Sequence, residues 1–135
     1  MHDLGTTIAL IFVAHLVGDY VLQTDWMAGE KTKRWLPAFV HGFVYMLPFL
    51  VVTQSPVALL MIALTHVVID RFRLARYVIW FSNQLGPKAY RYSLAEAKTH
   101  FGYSKDKPPF IAVWLLFIVD NTLHLIINIL SAVYL

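Results

Sequence analysis

Residues 110–134 read FIAVWLLFIVDNTLHLIINILSAVY, an apolar run broken by Asp120 and His124 and carrying no lysine or arginine. A helix crossing ~30 Å of hydrocarbon needs about 20 such residues, at about 1.5 Å of rise each. The run follows Pro108-Pro109 and is apolar on every face, the pattern of a membrane helix rather than of an amphipathic one.

Three more apolar stretches precede it: Leu4 to Thr24, Leu36 to Gln54, and Pro56 to Phe81. Pro37 stands at a tolerated first-turn position, and Gln54-Ser55-Pro56 predicts a tight reversal with Ser55 as N-cap. The third stretch is apolar to Ile69 and then meets Arg71, Arg73 and Arg76. Composition agrees with this reading. Of 135 residues, 59% are apolar and 14% charged, with a mean hydropathy of +0.61, whereas soluble domains carry about 25% charged residues. A soluble domain of this size and a disordered chain are both excluded. With no cysteine, disulfides, thiolate metal sites and cysteine nucleophiles are excluded as well. A cleaved signal peptide is not expected, since no basic region precedes the first stretch and His15 and Asp19 interrupt it.

The expected fold is therefore all-α, a single transmembrane domain over 1–135 with four transmembrane helices. These run over about 4–24, 36–54, 56–81 and 110–134, joined on one side by loops 25–35 and 82–108. Within the longer loop, Ser93-Leu94-Ala95-Glu96 reads as a capping box and Gly102 as a stop. They predict a short amphipathic helix, with Leu94 and Phe101 placed to rest on the bilayer surface. All eleven lysines and arginines fall in two groups, Lys31 to Arg34 and Arg71 to Lys107. With four crossings both groups lie on one side. The positive-inside rule makes that side cytoplasmic and sets both termini outside.

The chemistry lies in what interrupts the apolar runs. His15 and Asp19, His66 and Asp70, and Asp120 and His124 are three pairs at i, i+4, each in its own span, and His41 adds a fourth histidine. That spacing puts both members of a pair on one helical face. Counting ~1.5 Å per residue from the helix ends, all but His124 fall at overlapping depths in the cytoplasmic half. Imidazole and carboxylate suit Zn, with Mn or Fe as alternatives. The number of candidates suits one ion whose ligands are held by further carboxylates, or two ions sharing one. The predicted metal positions are His15, Asp19, His41, His66, Asp70 and His124, with Asp120 as the catalytic base. Gln23, Thr65, Asn121 and Asn128 read as hydrogen-bond partners of these groups. Two readings without metal stay open: polar contacts that merely hold the helices together, and a proton relay. His2 and His100 lie outside the spans and read as surface residues.

Arg71, Arg73 and Arg76 read either as snorkelling anchors for anionic headgroups or as a phosphate clamp at the mouth of the cluster. No nucleic-acid partner is expected, because the cations are spread over loops without a binding module.

The block His15-Leu-Val-Gly-Asp19-Tyr-Val-Leu-Gln23-Thr-Asp-Trp-Met27-Ala28, followed by basic residues and His41, resembles a known family. It is a domain-of-unknown-function family of small integral membrane proteins of bacteria and their phages, opening with an H-x-x-x-D-[FY]-x-x-Q-x-x-x-M-A block. The likeness covers nearly the whole chain. More distantly, His66 and Asp70 resemble positions in inner-membrane proteins assigned as metal-dependent hydrolases. The resemblance implies a bacterial or phage-encoded inner-membrane protein with His15, Asp19, His41, His66 and Asp70 at metal positions.

The expected function is metal-dependent hydrolysis of an ester or phosphoester of a membrane lipid or related amphiphile. A metal or proton transporter or sensor is the alternative, for which a homodimer would complete a path that four helices leave too narrow. A non-catalytic membrane adaptor is the third.

Overall fold

The computed structural model describes residues 3–135, so His2 lies outside the described residues. These form helices and no strand. They divide into two compact units: residues up to Phe72 together with His124–Leu135, and Arg73–Leu123.

In the first unit, Asp3 caps α1 (Leu4–Leu16) by accepting the Thr6 N–H at 3.1 Å. The helix widens into a π turn over Val17–Val21, so the first span ends three residues before Thr24. Thr24 is instead the N-cap of α2 (Asp25–Glu30), a short helix within the expected loop, its hydroxyl accepting the Met27 N–H at 3.3 Å. α3 (Trp35–Met46) tightens into a 3-10 turn over Leu47–Val51. Pro48 lies in that turn and offers no N–H to an α-helical ladder, which explains the end short of Gln54. Ser55 caps α4 (Pro56–Phe72) as its sequence predicts, accepting the Ala58 N–H at 3.3 Å and donating to the Leu135 carbonyl at 2.8 Å.

The continuous third helix expected over 56–81 is two helices. α4 stops at Phe72, Arg73 adopts a left-handed φ of 52°, and α5 (Ala75–Gln84) starts afresh. One left-handed residue suffices to end an α-helix, and hydropathy does not register it. By length and composition two helical stretches could cross a membrane, Leu4–Val21 and Pro109–Tyr134, while Trp35–Val51 is apolar but shorter.

Ile11, Ala14, Tyr45, Phe49 and Ile62 form the apolar core of the first unit, with Leu125, Ile129 and Ala132 against it. Polar residues are buried beside that core while large apolar side chains face outward. His15, Asp19, His41, His66, Asp70, His124 and Asn128 are buried, while Phe12, Phe43 and Leu60 are about half exposed. Close approach of helices requires small residues here. A Cβ on Gly18 would lie 2.7 Å from the Tyr45 carbonyl oxygen, and one on Gly42 would lie within van der Waals overlap of the Val67 side chain. Because the Gly18 contact is with backbone, no rotamer change relieves it. Gly18→Ala is expected to destabilise the protein by about 1–3 kcal/mol, as overpacking does. Thermal unfolding in detergent reads this directly, and an unchanged midpoint would contradict the close approach.

The second unit contains α5, a 3-10 turn at Lys88–Tyr90, α6 (Leu94–Thr99) and the opening turns of α7 (Pro109–Tyr134). α6 is the short loop helix that the capping sequence predicts, with the Ser93 hydroxyl accepting the Glu96 N–H at 3.1 Å. Glu96 does not return to the cap. It accepts the Lys105 N–H at 2.7 Å and the Ser104 hydroxyl at 3.1 Å, and the Lys105 bond holds its carboxyl below the usual range. That hold on the 104–106 loop is present above the ordinary Glu range and is lost as pH falls below it to the lowered value of the folded protein. Tyr92 ties the unit together, accepting at its carbonyl from Trp80 and Gln84 and donating its hydroxyl to the Gly102 carbonyl at 2.6 Å. His100, expected at the surface, is half-buried and contacts the Lys107 carbonyl at 2.7 Å.

Candidate metal centre

Four side chains from three separate elements converge in the first unit. The π turn presents Asp19, α3 presents His41, and α4 presents His66 and Asp70 one turn apart. The two imidazoles face each other through their Nε2 atoms at 2.9 Å. Asp19 Oδ1 lies 3.2 Å from His41 Nε2 and 3.7 Å from His66 Nε2; Asp70 Oδ2 lies 3.4 and 3.2 Å from the same atoms. All four ligand atoms fall within 4.8 Å of one another and all four residues are buried.

This arrangement can hold a metal ion. Bonds of ~2.1 Å to nitrogen and oxygen at tetrahedral angles separate the ligand atoms by about 3.4 Å, and the five distances above bracket that edge. Nδ1 of both His41 and His66 is buried without a hydrogen-bond partner among the described residues, so the polar contacts that orient these rings lie within the cluster.

A cation already enters the group. Lys31, just past the end of α2, puts its ammonium 2.6 Å from Asp70 Oδ2, 3.0 Å from His41 Nε2 and 3.6 Å from Asp19 Oδ1. Its side chain keeps 15% exposure, so it reaches inward from the rim. In a medium of low dielectric two carboxylates this close require positive charge, and Lys31 supplies one unit of it. Composition places Lys31 among the loop cations, yet a signal was there. It lies in the short connection between the helix bearing Asp19 and the helix bearing His41, which limits how far its side chain can stray.

Around the four sits a ring of buried aromatic and polar groups. Tyr45, one turn after His41, stacks on His66 with centroids 3.6 Å apart. Its hydroxyl meets His15 Nδ1 at 2.9 Å and accepts from Asn128 at 2.6 Å. His124 places Nε2 3.6 Å from Asp70 Oδ1, and its ring stacks with that of His15 at 5.7 Å. His15 and His124 thus lie beside the four rather than among them. For His15 the reason is local. The i, i+4 rule assumes α-helical rotation, and the π turn that begins at Val17 turns Asp19 towards His41 while His15 stays on the α1 face that meets Tyr45.

The remaining expected residues are placed as follows. Asn128 is buried on Tyr45, whereas Thr65 donates to the Met61 carbonyl on its own helix at 2.6 Å. Gln23 is half-buried just after the π turn. Asp120 and Asn121 are half-buried in the second unit, and Asn121 donates to the Phe117 carbonyl at 2.7 Å. Arg71 is engaged by the 32–35 segment, donating to the Thr32 carbonyl at 2.5 Å and the Lys33 carbonyl at 3.1 Å over the Trp35 ring. It anchors α4 to the start of α3, while Arg73 and Arg76 lie in the second unit.

Fold and cluster together define an all-helical protein with apolar helices and a buried His/Asp group able to hold a metal ion. The chain belongs to the family described as "Protein of unknown function (DUF3307)", whose profile matches residues 7–135. No curated protein and no solved structure matches the chain.

Proposed function

We propose that this chain is a four-crossing integral membrane protein of a bacterial inner membrane that binds a divalent metal, zinc before manganese or iron, and hydrolyses an ester or phosphoester of a membrane amphiphile. The observation that carries the reading is the near-tetrahedral spacing of Asp19, His41, His66 and Asp70. When bound, the metal would supply Lewis acidity and, where one of the four side chains gave up its place, a water of lowered pKa. Asp19 and Asp70 would hold it by charge, and the two imidazoles by Nε2. Asp120, one turn before His124 on α7, is the proposed general base on that helical register alone. An apolar groove of about 420 Å³ supports a lipid-like substrate. It runs along α3 and α4, bordered by Phe43, Met46, Leu60 and Leu64, and reaches Gly42 and Val67, the residues that follow His41 and His66. The four-crossing topology, with both termini outside, is proposed on the segregation of the cations.

The decisive experiment is elemental mass spectrometry of protein purified gently in detergent, followed by a hydrolysis screen on phospholipid and ester substrates. Stoichiometric metal together with turnover abolished by chelator supports the reading. Protein that stays metal-free when offered zinc, manganese and iron excludes it. A second reading, transport or sensing of the ion, draws on the buried polar line that continues from Asp70 through His124, Tyr45 and Asn128 to Ser131. Metal flux into liposomes without turnover would favour that reading.

A further inference from the structure

We propose that Arg73, Arg76 and Lys98 form a binding site for a single phosphoryl group, independent of the His/Asp cluster and of any metal. The three cations line one small pocket of about 50 Å³ in the second unit, with Thr99, Phe101 and Leu116 completing its wall. That volume is several times what one water needs and suits one oxyanion rather than a polymer or a whole amphiphile.

Three features show that the pocket is built rather than incidental. Arg73, at φ 52°, and Phe101, at φ 57°, are the non-glycine residues with left-handed backbone among the described residues, and both line it. Such conformations are disfavoured for residues bearing a side chain, and here each follows the end of a helix, α4 or α6, whose terminus it fixes. The turn at Phe101 is pressed against α5 through a third left-handed residue, Gly102 at φ 89°. A Cβ there would lie 2.9 Å from both the Arg76 Cα and the Arg76 carbonyl oxygen.

The charges are also uncompensated. None of the three has a carboxylate within ion-pair distance among the described residues. Glu96, two residues before Lys98, is engaged by Ser104 and Lys105. Arg76 and Lys98 both lie over the Tyr77 ring, at 5.1 and 5.8 Å from its centroid, and Arg76 donates to the Lys98 carbonyl at 3.3 Å. Two cations on one ring without a counter-ion call for an anion from outside, and guanidinium and ammonium together match phosphate oxygens. The ligand is a phosphoryl oxyanion, whether free phosphate or the headgroup of an anionic phospholipid.

The test uses the full chain with two probes. Inorganic phosphate is titrated against detergent-solubilised protein by phosphorus NMR. Separately, thermal unfolding is followed in phosphatidylcholine nanodiscs with and without phosphatidylglycerol. Lys98→Gln removes an exposed charge and keeps the packing, and Lys88→Gln removes a charge from the same unit away from the pocket. Lys98→Gln is expected to weaken saturable binding about tenfold while Lys88→Gln leaves it unchanged, the size of one lost charge-assisted bond. Arg73→Gly is expected to lose binding as well, yet to unfold at no lower temperature because it relieves a left-handed residue. An effect confined to free phosphate makes this a site for the soluble ion; one confined to phosphatidylglycerol makes it a headgroup site. The proposal fails if the Lys98 and Lys88 variants behave alike in both arms, or if neither probe is felt.

Discussion

Asp70→Asn protein, purified beside the wild type, is expected to lose its metal and any hydrolytic turnover. The substitution keeps the shape of the side chain and removes the charge. Oδ2 of Asp70 lies 2.6 Å from the Lys31 ammonium and 3.2 and 3.4 Å from the two imidazoles, so this is the most centrally placed carboxylate of the group. Removing even a residue that supports a metal ligand costs 10–100-fold in affinity, so replacing a ligand should cost at least about 100-fold. Chelator competition with elemental mass spectrometry measures it. His15→Ala is the informative companion, because His15 lies beside the four, against Tyr45 and His124. Its loss is expected to be about tenfold, in the range of a supporting residue. Equal losses in the two variants would refute the assignment of the four ligands.

Lys31→Met is expected to act in the opposite direction on affinity. The ammonium stands within 3.6 Å of three of the four proposed ligands, so an incoming cation must displace it. The variant loses that competitor and the repulsion that goes with it, and should bind metal about tenfold more tightly. It also leaves two buried carboxylates without their counter-charge. Breaking a buried pair costs 3–5 kcal/mol, and the partial exposure of Lys31 reduces this to about 2 kcal/mol. Metal-stripped Lys31→Met should therefore melt earlier than the stripped wild type, and added metal should reverse the order. Weaker metal binding by the variant would show that Lys31 supports the ion instead of competing with it.

Both predictions rest on residues that differ in how readily the sequence discloses them. Apolar runs located α1, α3, α4 and α7, because burial among apolar groups depends on composition over a whole turn or more. The interruptions at Asp19, His41, His66 and Asp70 were legible for the same reason: an ionisable residue in an apolar run has few bland explanations. Local backbone events were not legible. The left-handed Arg73 splits the third helix and the π turn separates His15 from Asp19, and both depend on one or two dihedral angles that hydropathy does not sense. Lys31 was the harder case, since a lysine in a hydrophilic loop reads as solvated and only the shortness of its connection between Asp19 and His41 points inward. The pairing of Arg76 with Lys98 depends on how α5 and α6 meet, which only tertiary structure supplies.

The π turn at Val17–Val21 has a genetic corollary. Such a turn accommodates one residue more than the α-helix on either side, so deleting one codon there would leave an unbroken and equally apolar helix. Only the residues within the turn would be re-aimed, carrying the carboxylate of Asp19 away from His41, while the chain beyond kept its register. A relative that differs by that single deletion would pass every hydropathy test for the same membrane segment and still lack the centre. In any relative, the spacing between His15 and Asp19 is therefore expected to decide whether Asp19 can meet His41.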